Sequence, residues 1–191
     1  IDDVGMKTYS TMLRHEPDFF IHSGDTVYAD GPIPDEIPLR DGGVWKNRIV
    51  TDEKRTVART LDEFRGQWKY NLLDDHLLSF NTQCPTFFQW DDHEVLNNWS
   101  ESSDLTGDRR YPEKEIGVYE ARARRAFHEM TPIRYFPTEP GRIFRKVAYG
   151  PLLDVFFVDL RSYRSPNQGG TENGLFGWRQ ADWLRRELAA S

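Results

Sequence analysis

Two short stretches carry the kind of side chains that hold cations and move protons. In GDTVYAD, Asp25 and Tyr28 lie three residues apart, and Gly24 lets the backbone turn sharply enough for both side chains to aim at one point. In WDDHEVLNNW, Asp91, Asp92, His93 and Glu94 stand in succession after an apolar run, a charge density that is costly for a purely structural turn. A third set, Asp159 and Arg161 in VDLRSYRS, places a guanidinium where it can grip phosphate oxygens bidentately, or form an ion pair with Asp159 or Asp92 that only fixes a loop. Carboxylates that converge repel one another unless cations neutralise them, so a meeting of these acids would make a metal site. Carboxylate, phenol and imidazole donors permit zinc, manganese or iron. Taken alone, Gly-Asp also fits a turn in which the aspartate caps backbone amides, and His22, inside an apolar run, fits a core histidine.

The elements that must position these residues follow from apolar spacing. Residues 6–16 carry Met6, Tyr9, Met12 and Leu13 at helical intervals before Pro17. The run 19–21 then reads as a buried strand that ends just before Asp25. From 26 to 56 three prolines, a Gly42-Gly43 pair and many charges predict a long loop, a plausible substrate-side flap. Residues 60–80 repeat apolar positions with a helical period, TFFQW reads as a second strand ending in acids, and 113–130 reads as a further helix. Residues 142–149 and 152–160 read as strands separated by Gly150-Pro151, so that the second can return beside the first, and Trp178, Trp183, Leu184 and Leu188 mark one face of a closing helix. Strands alternating with helices predict an α/β layer fold with a mainly parallel sheet, where side chains at the strands' C-terminal ends gather along one edge.

Composition narrows the classes. With 25 Lys and Arg against 31 Asp and Glu the net charge is −6, which disfavours specific nucleic-acid binding and attraction to anionic membranes. No apolar run approaches the roughly 18 residues of a membrane span. The basic run ARARRAF reads as a solvated helix face. Cys84 is the single cysteine, so an internal disulfide and a cysteine-rich zinc site are excluded, and it reads as a buried apolar residue. The opening IDDVGMKTY has neither a basic nor an apolar region, so no signal peptide is expected in this stretch.

HSGDTVYADGP, TFFQWDDHEVLNNW, VDLRSYRS and LFGWRQADWL, in that order, resemble the successive motifs of the PhoD-like alkaline phosphatases, within the calcineurin-like metallophosphoesterases. The resemblance implies that residues 1–191 form the central part of a metallophosphoesterase catalytic domain. Its fold class would be α/β, a partial α/β/β/α sandwich with a mostly parallel sheet that lacks its N- and C-terminal strands. It implies a binuclear site of ferric iron plus calcium, with Asp25 as the bridging acid and Tyr28 as the phenolate on iron, as in the similar GD-x-x-Y motif of purple acid phosphatases. Asp92 resembles a further ligand, and His93 the residue that stabilises or protonates the departing oxygen, its imidazole oriented by Glu94 or Asp91. Arg161 would hold phosphoryl oxygens, and Asn97 and Asn98 would anchor their loop. The implied reaction is hydrolysis of phosphate monoesters, diesters or both, in a secreted, periplasmic or cell-surface protein. Family members also carry an upstream strand with an aspartate and a cysteine ligand, and downstream ligands with histidine among them. Neither motif occurs in these residues, and Cys84 does not match the thiolate. The expectation is therefore an incomplete ligand set and an exposed sheet edge that invites association. The alternative is a catalytically incompetent α/β fragment or binding module.

Overall fold

The computed structural model describes residues 1–2, 4–167 and 174–191. Two parallel strands, β1 (Phe20–Ser23) and β4 (Thr86–Gln89), lie side by side with Phe20 opposite Thr86 and Ser23 opposite Gln89. Both strands therefore leave the sheet at the same end, and each is followed by its acidic motif two residues further on. The register thus brings together two motifs that lie more than sixty residues apart.

The crossover between these strands holds more structure than a loop and one helix. The expected loop at 26–56 contains a hairpin, β2 (Glu36–Pro38) and β3 (Val44–Lys46), followed by a 3-10 turn at Asp52–Lys54. The hairpin closes because Gly42 takes a positive φ of 84° and Leu39 N–H donates to the Gly43 carbonyl. Val44 and Trp45 remain exposed on it.

The single helix expected at 60–80 is two, α2 (Leu61–Asn71) and α3 (Asp75–Gln83). Asp74 makes the break. In an extended conformation it caps α3 by accepting the His76 and Leu77 amides, and its other oxygen accepts Met6 N–H at 2.8 Å, tying down the entry to α1 (Lys7–Leu13). A capping box of Thr60 and Glu63 starts α2. Phe64 and Trp68 of α2 bury against Tyr119, Ala123, Ala126 and Phe127 of α4 (Ile116–Met130), and Trp90, just after β4, completes the core with its ring 5.9 Å from Phe127. Arg65 bridges the same two helices through Glu129 at 2.6 Å. Arg122, Arg124 and Arg125 are tied to Arg59 O, Glu120 and Glu129 along the helix surface.

The last strands, β5 (Arg145–Ala148) and β6 (Asp154–Phe157), pair as an antiparallel hairpin around Gly150 at φ 68°. Arg145 donates to the Phe88 carbonyl at 2.6 Å, and Gln89 to the Val158 carbonyl, so the hairpin sits beside β4 through side chains. Helix α5 (Gly177–Ala189) covers it with Trp183 against Phe144. Its buried Gln180 accepts Asp159 N–H and donates to Asp159 O, clamping the backbone two residues before Arg161. The architecture is α/β, but the described residues form three separate two-stranded sheets, one parallel and two antiparallel, where one mostly parallel sheet was expected. Each strand is three or four residues long and pairs with one neighbour. No helix among the described residues is long and apolar enough to cross a membrane.

Candidate metal centre

Asp25 follows β1 in a left-handed conformation at φ 52°, a costly one for a residue with a side chain. Gly24 before it, at φ 103°, could carry no side chain: a Cβ there would stand 2.6 Å from the Asp91 Cβ and 2.8 Å from the Asp91 nitrogen. The two motif loops touch at this point. The buried Glu94 fastens them, one oxygen accepting Thr26 N–H at 2.6 Å and the other Asp91 N–H at 2.8 Å, and burial pushes its carboxyl up to about 7. Ala29 N–H donates to the His93 carbonyl and Ala58 N–H to the Ala29 carbonyl, so the segment after Tyr28 is stitched on both sides. The buried Lys54 adds a bond from its ammonium to the Tyr28 carbonyl at 3.0 Å and another to Gln67, and burial holds it down to about 8.

This frame brings Asp25, Asp92 and His93 to one place, each offering a ligand atom within 4.8 Å of the others. The Tyr28 hydroxyl lies 3.4 Å from Asp25 Oδ2, and its half-exposed ring stacks on the His93 imidazole with centroids 4.2 Å apart. Burial raises the Asp25 carboxyl above its ordinary value, and the charges of Asp92 and Asp91 add to this against the hydrogen bond from His93 N–H. Asp92 is 5% exposed; burial pushes it up too, but the Asn98 amide and Arg161 outweigh that and hold it low. One acid of the pair is thus fixed as a carboxylate while its neighbour resists ionisation, a conflict that a cation between them removes. Two carboxylates and a nearby phenol are hard oxygen donors and the imidazole is a borderline nitrogen donor, a set that suits such an ion.

Arg161 reaches the same edge from β6. Its Nε pairs with Asp91 and its Nη2 stands 3.5 Å from Asp92, whereas Asp159 accepts the backbone amides of Arg161 and Ser162 and the Ser162 hydroxyl. Nη1 is buried with no hydrogen-bond partner among the described residues. Asn97 and Asn98 anchor the loop through their backbone amides, to Asp30 and Asp92. The orientation of His93 differs from expectation. Glu94 faces the two amides and Asp91 faces Arg161, and the carboxylate on His93 Nδ1 is Asp30, at 2.8 Å. Asp30 sits in the GDTVYAD motif, and its role there was not legible because its partner lies 63 residues away. Burial lowers the imidazole, yet Asp30, Asp92 and Asp25 together raise it above its ordinary value. His22 bonds Thr26 and lies with the buried Cys84 along an apolar cavity that Phe20 and Trp68 also line. Cys84 precedes β4, at the end of that strand opposite the acidic motif.

The chain is similar to known proteins over nearly its whole length. The chain is 27% identical over 203 residues to alkaline phosphatase D of Bacillus subtilis (strain 168), covering 96% of this chain and 32% of that protein. A solved structure of PhoD superposes with a TM-score of 0.71 at 24% identity, over 98% of this chain and 37% of that one. The chain therefore spans about a third of the length of these relatives. Matched from residue 2 to residue 191 by the family model for PhoD-like phosphatases, it belongs to that family.

Proposed function

We propose that this chain supplies the central part of a metal-dependent phosphoesterase site that hydrolyses phosphate monoesters, diesters or both. The observation that carries the reading is the convergence of Asp25, Asp92 and His93 within 4.8 Å, from two loops that leave paired parallel strands at the same end. Asp25, Tyr28 and Asp92 would hold the cations, ferric iron with calcium by family resemblance, with zinc or manganese also suited to these donors. Bound cations would neutralise the phosphoryl oxygens and lower the pKa of the attacking water from 15.7 to about 7.

The chain's own residues do the rest. Arg161, paired with Asp91 and lying beside Asp92, would hold phosphoryl oxygens as charge develops on them. His93 protonates the departing ester oxygen, and stacking on Tyr28 holds its ring over the site. In the full-length protein further strands would join the three pairs into the two-sheet sandwich, and the family resemblance makes that protein a secreted, periplasmic or cell-surface one. A second reading has its own support. The ligands proposed here from the described residues are Asp25, Tyr28 and Asp92, fewer than two ions with several ligands each require. The isolated segment is therefore expected to be catalytically incompetent, with the other ligands coming from elsewhere in the full-length protein.

The test is spectroscopic and kinetic. Iron-loaded full-length protein should show a tyrosinate-to-iron absorption band in the visible and hydrolyse aryl phosphates. Tyr28→Phe should bleach the band, and Asp25→Asn should abolish both metal binding and turnover. A full-length protein that hydrolyses phosphate esters equally well after chelation would sink the proposal.

A further inference from the structure

A second set of charges lies away from the acidic motifs. Between β4 and β5 runs a groove of about 760 Å3 whose apolar walls include Phe87, Ile133, Phe136 and Val147. Arg134, Arg145 and Lys146 line it, and among the described residues no Asp or Glu does. Lys146 is already matched, its ammonium standing 3.0 Å from Glu187 and 3.6 Å from Asp154. Arg134 is exposed and forms no ion pair among the described residues. Arg145 is the anomaly. It is 6% exposed, it lies over the Phe157 ring at 4.2 Å, and it donates to the Phe88 carbonyl at 2.6 Å and the Ile143 carbonyl at 3.2 Å. All of these partners are neutral, and among the described residues no carboxylate pairs with it. Burial pulls the guanidinium down to about 10, so it still carries its charge at neutral pH. A buried charge held by neutral groups alone is costly, and its natural complement is an anion.

We infer that the groove between β4 and β5 binds an amphipathic carboxylate, its head on Arg145 in the positive field that Arg134 adds, and its hydrocarbon body along Phe87, Ile133 and Phe136. The planar fork of a guanidinium matches a carboxylate, and the two bonds to main-chain carbonyls leave the rest of its N–H donors for a ligand. The apolar walls select a hydrocarbon body, and the volume falls within the roughly 300 to 1,000 Å3 of small-molecule sites. One uncompensated buried cation favours one negative charge, because a doubly charged phosphate ester would lose more hydration in the same apolar surroundings. The groove runs along residues 86–88 of β4, and none of Asp25, Tyr28, Asp92 and His93 lines it. The inference therefore stands apart from the phosphoesterase reading.

Calorimetric titration of the full-length protein tests this, with decanoate as the probe and decanol, decylammonium and decyl phosphate for comparison. The protein is first chelated, so that no bound cation can take the carboxylate itself. At about pH 8 decyl phosphate is a dianion and the arginines are charged. Decanoate should bind one to one, and about tenfold or more tighter than each of the other three. Arg145→Met should weaken it about tenfold or more and the charge reversal Arg134→Glu about fivefold, with decanol unaffected by either. Asp25→Asn should leave the affinity for decanoate unchanged. If Arg145→Met does not fold, Arg134→Glu decides alone, because it alters an exposed side chain with no ion pair to lose, and unaltered affinity in it overturns the inference. Equal binding of decanoate and decanol would reduce the groove to an unselective apolar surface. Decyl phosphate bound as tightly as decanoate would reassign it to phosphate esters. No saturable binding would show that the protein's own residues cover Arg145. Each of these three results also overturns the inference.

Discussion

The smallest decisive residue is Gly24, because the two acidic motif loops meet across it. A methyl group there would overlap Asp91, and φ 103° is a conformation that L residues rarely adopt. Gly24→Ala should therefore destabilise the fold by about 2 kcal/mol or more and spread Asp25 from Asp92, weakening metal binding as well. Urea denaturation and a metal titration check both, and a variant with parental stability and affinity would show that the loops do not touch. Asp25 and Asp92 stand out in the sequence as acids following apolar strands, and Tyr28, His93 and Arg161 are singled out by the motifs around them. Asp30 does not stand out. It reads as one more polar turn residue until the parallel register lays its loop beside His93. The partners of Glu94 and Asp91 were hidden for the same reason, since adjacency in sequence says nothing about which way a loop turns each side chain.

At the scale of elements, the long-period features were readable and the interruptions were not. Gly150-Pro151 announced the β5–β6 hairpin, and the helices after Thr60 and Glu115 follow their apolar stripes. Leu77 and Phe80 kept the helical phase across the break at Asp74, so the period alone concealed a cap that the aspartate itself signals. The packing of α2 on α4 yields a pH prediction. Hydrogen bonds from Arg65, with Arg125 adding to them against the effect of burial, hold the Glu129 carboxyl down to about 2 from an ordinary 4.5. The folded state thus binds this proton more weakly than the unfolded one. Its stabilisation is complete above about pH 4.5 and is lost as the pH falls toward 2. Glu129 is a third exposed, so solvent screening limits the pair to about 1 kcal/mol or less. Glu129→Gln should lower Tm at pH 7 by a small margin that vanishes near pH 2, and a margin that persists in acid would assign the loss to packing.

For the whole molecule, the chain presents one end of a parallel strand pair to the solvent and collects there an acidic, partly buried cluster that repels itself. A net charge of −6 does nothing to relieve that repulsion, which leaves cations as the natural complement. The relatives it matches are about three times as long, which fits a site that draws further ligands from beyond this stretch. The overall α/β class was legible from alternating strands and helices, whereas the division into three short sheets was not, because strand pairing depends on neighbours that no local pattern names. A crystal of the full-length protein, with anomalous scattering collected at the iron edge, tests the central claim most directly. A peak within bonding distance of both an Asp25 carboxylate oxygen and the Tyr28 hydroxyl, with Asp92 in the same cluster, is the predicted result. Iron bound elsewhere, with Asp25 and Asp92 turned to separate regions, would contradict it.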